Sequence, residues 1–196
     1  MKFILGLFLC FSAYVSCNDG IVNENFRDNK SESVEVYMID FSIEEQGCWR
    51  ITNDGVMGGL SNGKMSFYPD HGIFSGDISL DNNGGFTSVF RSVANIPESF
   101  DKLVVDIMGD GQAYQLRLVI YINGYRMAYK HKFQTVSNKR EKLILQLSDF
   151  EATFRGRTIT NALLLNAKDI REVGFLMTKQ DVGKFSLSVF ELFFQK

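Results

Sequence analysis

Short segments in which apolar and polar residues alternate recur along most of the chain, and no long stretch has the periodicity of an amphipathic helix. Such alternation is typical of β-strands with one buried and one exposed face. Asn-Gly, Asp-Gly and Gly-Gly pairs separate the segments and favour turns. The pattern therefore predicts an all-β domain. The predicted strands are residues 72–80, 86–93, 102–108, 141–147, 172–178 and 184–194.

The clearest predicted element is a β-hairpin over residues 113–133. Asn123-Gly124 is a preferred pair for a two-residue hairpin turn, because both turn positions require a positive φ angle. The turn sets the register, and opposed residues share a sheet face. The apolar face pairs Ile122 with Tyr125, Ile120 with Met127, Leu118 with Tyr129, Leu116 with His131 and Tyr114 with Phe133. The other face, expected to be solvated, places Gln115, Arg117, Val119 and Tyr121 opposite Lys132, Lys130, Ala128 and Arg126. One buried face per sheet predicts an antiparallel β-sandwich, specifically a jelly roll.

The N-terminal residues 1–17 have the composition of a secretory signal peptide: Lys2 precedes a short apolar run, and small or short residues precede Cys17. The run is too short for a membrane-spanning helix. Residues 14–17, Tyr-Val-Ser-Cys, resemble a bacterial lipobox, in which the cysteine is lipidated, although Tyr14 stands where leucine is usual. We therefore expect an exported, lipid-anchored protein of the cell envelope, with its domain in the periplasm or at the surface. Ordinary signal cleavage and an uncleaved anchor are the alternatives.

The remaining chain divides into a tether and one domain. Residues 18–36 are rich in Asn, Ser and Glu, so we predict a flexible tether. Residues 37–196 are long enough for a single β-sandwich domain with one core. A bridge between Cys17 and Cys48 is possible only if Cys17 is not lipidated, and the predicted tether argues against it.

Composition limits the function. The chain has 21 Lys and Arg against 23 Asp and Glu, which lacks the basic excess of a nucleic-acid-binding protein. It has two histidines and no Cys-x-x-Cys, so no metal-ligand spacing is present. We expect no metal, no cofactor and no nucleic-acid partner.

A glycine-rich segment, NDGVMGGLSNGK at residues 53–64, resembles two catalytic motifs. Residues 58–64 fit the start of a phosphate-binding loop, but Met65 stands where the magnesium-binding Ser or Thr is required. Residues 59–63 read G-x-S-x-G, the spacing of a nucleophile elbow around Ser61. Both motifs require a helix to follow, whereas the residues that follow alternate like a strand. We therefore expect neither nucleotide binding nor hydrolysis.

Carboxylates and a histidine leave other catalytic alternatives. Asp106 or Asp110 with His131 completes a Ser-Asp-His order, but the hairpin register places His131 on the apolar face. The pairs Asp106/Asp110 and Asp77/Asp81 suit glycosidase carboxylates or structural calcium ligands. Aspartates in Gly-Asp-Gly and Asp-Asn-Asn contexts more commonly hydrogen-bond their own turns. We predict no catalytic residue and no enzymatic activity.

The polar face of the hairpin is a candidate binding surface. Arg117, Arg126, Lys130 and Lys132 surround Tyr121 on that face. Such a surface suits an anionic or sugar ligand, and the alternative is an ordinary solvated face.

Five segments together resemble the complex I intermediate-associated protein family, in order along the domain: WRITNDGVMGGLS (49–61), FSGDISLDNNGGFTSV (74–89), DIMGDGQAYQLRL (106–118), FRGR (154–157) and the C-terminal IREVGFLMTKQDVGKFSLSVFEL. The resemblance implies a galactose-binding-like jelly roll. It also implies a function in assembling the membrane arm of respiratory complex I by binding intermediates rather than by catalysis.

We interpret the glycine-rich segment as architecture and at most as the rim of a recognition site. Trp49 is expected to pack beneath the segment, Asn53 and Asp54 to hydrogen-bond its turn, and Gly58-Gly59 to let the backbone bend or approach another strand closely. The other candidate binding residues are Arg117, Tyr121, Lys130, Arg155 and Arg157.

The sequence thus predicts a non-enzymatic binding domain that acts as an assembly or chaperone-like factor for a membrane protein complex. The alternative is a carbohydrate-binding module of the cell envelope. A carbohydrate site predicts a platform of exposed aromatic residues such as Tyr121 or Tyr68, whereas a protein-binding surface predicts an apolar patch with a polar rim.

Overall fold

The computed structural model describes residues 17, 19–25, 33–178 and 183–196, which form two antiparallel β-sheets packed face to face. The strands are β1 (Asp19–Asn25), β2 (Ser33–Ile39), β3 (Trp49–Asn53), β4 (Asn62–Phe67), β5 (Gly72–Ile78), β6 (Phe86–Ser92), β7 (Lys102–Met108), β8 (Ala113–Ile122), β9 (Tyr125–Gln134), β10 (Arg140–Gln146), β11 (Glu151–Phe154), β12 (Arg157–Thr158), β13 (Glu172–Thr178) and β14 (Gly183–Gln195). Short 3-10 helices cover Ile43–Cys48, Asp54–Met57, Asp81–Asn83, Leu147–Asp149 and Ala167–Asp169. Among the described residues, no helix has the length and apolar character needed to span a bilayer.

The strand order places the sequence segments in two layers. Sheet A runs β1-β2-β14-β5-β4, and β7 pairs with both β14 and β10. Sheet B runs β12-β11-β9-β8-β13-β6-β3. The all-β antiparallel sandwich that the sequence predicts is confirmed, and each of the six strands predicted from alternation is present.

The hairpin of β8 and β9 has the predicted register. Ile122 pairs with Tyr125 at the turn, and Tyr114 pairs with Phe133 at the far end. Asn123 and Gly124 both have positive φ angles, of 51° and 80°, as a two-residue turn requires. The inward-facing residues of the hairpin join one core with residues from sheet A. Its buried members include Phe74, Leu103, Tyr114, Leu116, Leu118, Phe175, Leu187 and Leu192.

The opposite face of the hairpin is less solvated than the sequence suggests. Val119 and Ala128 are buried in a small separate cluster with Phe90 of β6. The prediction of a fully wet face is therefore wrong at this point, because a neighbouring strand supplies an aromatic side chain that covers the two small residues.

The structure differs from the sequence prediction over residues 18–36, where a flexible tether was expected. Within that range β1 pairs with β2, from Asp19 opposite Ile39 to Asn25 opposite Ser33. Strand β2 in turn pairs with β14. The physical reason lies in the alternation of β2, because Tyr37 and Ile39 enter the main core while Val36 packs on the opposite side of sheet A.

Cys17 is bonded to Cys48 in the structure, with the two Cα atoms 5.8 Å apart. The pairing of Asp19 with Ile39 brings Cys17 to the end of β2, beside the helix Ile43–Cys48. A sulfur in a disulfide cannot also carry a lipid, so this geometry differs from the expectation that Cys17 is lipidated. The remainder of the predicted signal peptide, residues 1–16, lies outside the described residues.

Candidate functional site

The glycine-rich segment is a loop between β3 and β4 that is organised around the carboxylate of Asp54. Asp54 is fully buried and accepts hydrogen bonds from the backbone N–H groups of Ser61 (3.0 Å), Gly85 (2.5 Å) and Phe86 (3.2 Å). Burial alone would raise the pKa of this carboxyl, but the hydrogen bonds outweigh it and hold the pKa below the ordinary value of 3.8. A buried carboxylate thus ties the loop to the start of β6.

Neighbouring residues explain the glycines of the motif. The Asn53 side-chain oxygen accepts hydrogen bonds from Gly63 N–H (3.0 Å) and Thr87 Oγ1 (2.6 Å). Gly58 ends the short helix with a φ of 89°. A Cβ atom on Gly59 would lie 2.4 Å from the Asp54 carboxylate, so only glycine fits there. Asn53 and Asp54 hold the loop as the sequence analysis predicts.

The same loop exposes its apolar side chains. Val56, Met57 and Leu60 are 78%, 66% and 61% exposed, whereas Asp54 and Ser61 are buried. Leu80 is also exposed, and its chain neighbour Ser79 is bonded to the loop, because Ser61 Oγ donates to Ser79 O and accepts from Ser79 N–H. We call Val56, Met57, Leu60 and Leu80 the motif-loop surface. An ordinary surface loop buries its apolar side chains and exposes its polar ones, whereas this loop does the reverse.

Trp49 does not pack beneath this loop, which corrects the sequence prediction. It begins β3, the strand whose other end leads into the loop, and its ring stacks on Phe41 with centroids 4.9 Å apart. The Arg91 guanidinium lies 5.6 Å from the same ring. Trp49 is therefore a core residue next to the buried ion pair of Arg91 with Glu45 (3.1 Å).

The catalytic alternatives find no support in the geometry. Ser61 is followed by β4 rather than by a helix, and its hydroxyl is engaged with the backbone of Ser79. His131 lies at the rim of sheet B, where Nδ1 is 3.4 Å from Asp149 O and the ring is 5.5 Å from Phe150. The two residues are thus held by different local contacts.

Two of the carboxylates singled out in the sequence, Asp106 and Asp110, have structural partners. Asp106 forms a two-point ion pair with Arg140 (2.8 and 3.0 Å). Asp110 accepts hydrogen bonds from Tyr114 Oη (3.0 Å) and from the Ser186 N–H (2.7 Å), which lies on a stretch of β14 that β7 does not reach. Asp110 therefore closes an open strand edge.

Few side chains of the described residues are grouped in a way that could bind a metal ion. Within the described part of the chain, the one group of three His, Cys, Asp or Glu side chains with ligand atoms close together is Cys17, Glu45 and Cys48. The two sulfurs of that group are bonded to each other.

A polar cluster lies on the outer face of sheet B, centred on Glu172 at the start of β13. Glu172 is buried, and its carboxylate accepts hydrogen bonds from Tyr121 Oη (2.6 Å), Arg126 Nε and Nη2 (3.2 and 2.8 Å) and Arg50 Nη2 (3.3 Å). Burial opposes the charged form, but the bonds from Arg126 and Tyr121 hold the pKa of Glu172 below its ordinary value of 4.5. The same bond to Glu172 raises the pKa of Tyr121.

Arg117 and Lys130 lie beside this cluster. Arg117 donates to Gln115 Oε1 from Nε (3.1 Å) and Nη2 (2.7 Å), and Nη1 is 3.4 Å from Thr153 Oγ1. Lys130, opposite Arg117 in the hairpin, is ion-paired with Glu151 at 3.3 Å. The sequence-predicted residues Arg117, Tyr121 and Lys130 therefore share one surface.

Arg155 and Arg157 do not join that surface. Both are exposed on the β11–β12 hairpin at the edge of sheet B, with β11, β9 and β8 between β12 and β13. Arg155 has a positive φ of 50°, and its guanidinium lies 5.3 Å from the Phe154 ring. Nothing in the structure brings these two arginines to the Glu172 cluster.

Sequence reasoning missed three members of the sheet B surface. Glu172 and Phe90 lie on β13 and β6, and Arg50 lies on β3. The hairpin turn reveals the register of β8 and β9, but the chain carries no local signal that β13, β6 and β3 follow them in the sheet. The one local signal for Glu172 is that a charged residue begins the otherwise apolar segment EVGFLMT.

Comparison with solved structures agrees with the fold. The family 11 carbohydrate-binding module from Clostridium thermocellum in complex with β-1,3-1,4-mixed-linked tetrasaccharide superposes with a TM-score of 0.63 at 16% identity, covering 84% of this chain and 97% of that one. The family 11 module of the cellulosomal cellulase Lic26A-Cel5E of the same organism gives a TM-score of 0.58 at 12% identity, covering 92% and 96%. At these identities the likeness shows a shared galactose-binding-like β-sandwich and no more.

No curated protein matches the chain. A family model does match, that of complex I intermediate-associated protein 30, over residues 39–189, which include the motif loop, the Asp110 turn and the Glu172 cluster. The match covers most of the chain and agrees with the resemblance noted in the sequence. The chain therefore belongs to the complex I intermediate-associated protein 30 (CIA30) family.

Proposed function

We propose that this protein is a non-enzymatic binding domain that docks a protein partner, a subunit or intermediate of a membrane complex, through the motif-loop surface. The observation that carries the proposal is the reversed polarity of the loop: Asp54 and Ser61 are buried while Val56, Met57 and Leu60 project into solvent. A loop that only connected two strands would be more stable with the opposite arrangement, because exposed apolar side chains gain nothing from folding.

The loop is suited to docking because it is already rigid. Three backbone N–H groups bind the Asp54 carboxylate, so little conformational freedom remains to be lost when a partner binds. Covering each large apolar side chain contributes about 1.5–3 kcal/mol before the costs of association. Methionine is also enriched at protein interfaces. Asp81, Asn82 and Asn83 follow Leu80 as exposed polar residues and supply part of a polar rim.

Membership of the CIA30 family supports an assembly-factor-like role, because the family is described by its association with complex I intermediates. We further propose that the protein works outside the cytoplasm, in the cell envelope. The Cys17–Cys48 disulfide favours an oxidising compartment and argues against a lipid anchor at Cys17. Peptide mass mapping of the purified protein without reductant would show either the linked Cys17 and Cys48 peptides or an acylated Cys17.

Quantitative affinity capture from detergent-solubilised membranes tests the docking proposal. The wild type is compared with a variant carrying Met57→Asp and Leu60→Asp, and with a control variant carrying Ile144→Asp. Ile144 is 60% exposed on β10 of sheet A, so its substitution matches the change in polarity away from the loop. We expect subunits of one membrane complex to be captured by the wild type and the control and lost with the loop variant. Equal capture by all three proteins would contradict the proposal.

A carbohydrate is the second candidate ligand, on the outer face of sheet B. The specific observation is Tyr121, which is half exposed and held in place by its hydrogen bond to Glu172. Tyr68, the other aromatic residue considered in the sequence, lies away from this face and stacks on His71 next to sheet A. Calorimetric titration with a β-1,3-1,4-mixed-linked tetrasaccharide tests this candidate, and Tyr121→Ala should abolish any binding that occurs through this face.

A further inference from the structure

The outer face of sheet B has an uneven charge distribution. Arg50 and Arg126 both bind the Glu172 carboxylate, at 3.3 and 2.8 Å. Arg117 lies on the same face, two residues from Val119, which is opposite Glu172. Two guanidinium groups therefore bind a single buried carboxylate, and a third lies on the same face of the sheet.

Arg117 is the member of this group whose charge is not balanced. Its partners are the neutral side chains of Gln115 and Thr153, and no carboxylate of the described residues lies within ion-pair distance of it. The pKa of Arg117 is lowered, first by partial burial and then by the nearby charge of Arg126. A partly buried cation beside a second cation is an unfavourable arrangement that an anion would relieve.

Gly174, the residue paired with Arg117 on β13, lets an aromatic ring and a second cation lie on this face of the sheet. In the pairing of β8, β13 and β6, Gly174 lies between Arg117 and Phe90. The Phe90 ring covers Gly174, where a Cβ atom would lie 2.6 Å from the ring, and the Arg126 guanidinium lies 4.6 Å from the centre of that ring. Because Gly174 has no side chain, the Phe90 ring lies over it and carries the Arg126 guanidinium on the same face of the sheet as Arg117.

Arg117 also keeps donors available. A guanidinium has five N–H groups, and Arg117 uses one each on Nε, Nη1 and Nη2 within the protein. One N–H on each terminal nitrogen remains, which is the arrangement that binds the two oxygens of a carboxylate or sulfate. The bonds to Gln115 and Thr153 hold the Arg117 guanidinium in one orientation before any ligand binds.

We propose that the outer face of sheet B holds a binding site, centred on Arg117, for the carboxylate or sulfate group of an acidic sugar. This site lies on a different surface from the motif loop, and its existence does not depend on docking through that loop. It deepens the second candidate function by naming the ligand class. Arg117 binds the anionic group, and Arg126 adds a second positive charge.

A sugar fits this face better than an acidic peptide. Tyr121 is the exposed large hydrophobic side chain that β8, β13, β6 and β3 present here, and an aromatic ring beside fixed polar groups is suited to a sugar ring. A protein-binding surface would carry exposed aliphatic anchors, and β8, β13, β6 and β3 present none here.

Calorimetric titration with matched probes tests the inference. Trigalacturonic acid carries the proposed charge, and its fully methyl-esterified form has the same sugar backbone without that charge. Sodium sulfate tests a free anion, and a hexaglutamate peptide tests an acidic polypeptide. We expect trigalacturonic acid to bind at least about tenfold more tightly than its ester, with an affinity that falls as salt is added. Equal affinity for the ester, or tighter binding of sulfate or hexaglutamate, would overturn the proposal.

Two variants locate the binding. Arg117→Gln should weaken trigalacturonic acid binding about tenfold or more, and Arg117→Lys should be intermediate because it keeps the charge but loses the fork. The control is Lys184→Gln, which removes one positive charge from an exposed position on β14 in sheet A. Thermal unfolding of each variant confirms that it is folded. If Arg117→Gln and Lys184→Gln had the same effect, the binding would be non-specific attraction to net charge and the proposed site would be wrong.

Discussion

Two buried glutamates, each bound by arginine, differ in what surrounds the pair. Glu45 binds Arg91, whose side chain is entirely buried against Trp49 and also donates from Nη1 to the Asp40 carbonyl (2.8 Å). Glu172 binds Arg126 and Arg50, whose side chains are 40% and 61% exposed.

The same chemical pair therefore serves two purposes. The Glu45–Arg91 pair is sealed, and it anchors the helix that ends at the disulfide-bonded Cys48. The Glu172 cluster is closed on the protein side and open on the solvent side, so its arginines are positioned and still reachable. Burial of a carboxylate alone does not indicate a site; the accessibility of its partners does.

The largest effect should follow from breaking the sealed pair. Arg91→Met leaves the Glu45 carboxylate buried without its cation, so the free energy of unfolding should fall by about 3–5 kcal/mol. Urea denaturation measures this change. Replacing both residues, with Glu45→Met and Arg91→Met, should recover most of the loss because neither member of the pair is then left as a buried charge without the other. A double variant as unstable as Arg91→Met would mean that packing around Trp49, and not the charge, is responsible.

The buried Asp54 carboxylate, which binds three backbone N–H groups, should come next. Asp54→Asn replaces an acceptor of three N–H groups by a side chain that must present its own NH₂ group, so we expect a loss of about 1–3 kcal/mol. Because the pKa of Asp54 is lower in the folded state than the ordinary 3.8, its contribution is present above that value and is lost as the pH falls through the folded pKa. Urea denaturation across that acid range should show the wild type losing its advantage over the variant, and a constant difference would contradict this assignment.

The open pair should contribute less to stability. Glu172→Gln keeps hydrogen bonding to Tyr121, and the exposed arginines remain hydrated, so we expect a loss of about 1 kcal/mol. The pKa of Glu172 is lowered on folding from about 4.5, so this stabilisation is present above pH 4.5 and disappears as the pH falls through the lower folded pKa. A loss as large as that of Arg91→Met would show that the two pairs are equivalent and remove the contrast between them.

The smallest effect on stability should come from the motif-loop surface. Met57→Asp and Leu60→Asp change exposed side chains, so the free energy of unfolding should change by no more than about 0.5 kcal/mol each. Partner capture, by contrast, should be lost. A large loss of stability would instead indicate that the two side chains pack against the domain.

What the sequence could predict depended on how local the signal was. The register of the Asn123-Gly124 hairpin follows from turn chemistry within a few residues. The sequence also indicated that Asn53 and Asp54 hold the loop, although their hydrogen bonds extend to Thr87 and Gly85. The Glu172 cluster could not be predicted, because it requires the order in which β8, β13, β6 and β3 assemble, which is a long-range property. The strands within residues 18–36 were missed for the same reason, since a polar composition concealed their pairing. The Cys17–Cys48 bond was considered possible, but the predicted tether argued against it.

Site-specific photo-crosslinking tests the proposed docking function most directly. A photoreactive amino acid is placed at Met57 in one protein and at Ile144 in another, and each is irradiated in intact cells before mass spectrometry. Crosslinks from position 57 to a subunit of a membrane complex, absent from position 144, are the result that we predict. No crosslink from position 57, or the same proteins from both positions, would contradict the claim that the motif-loop surface binds a partner.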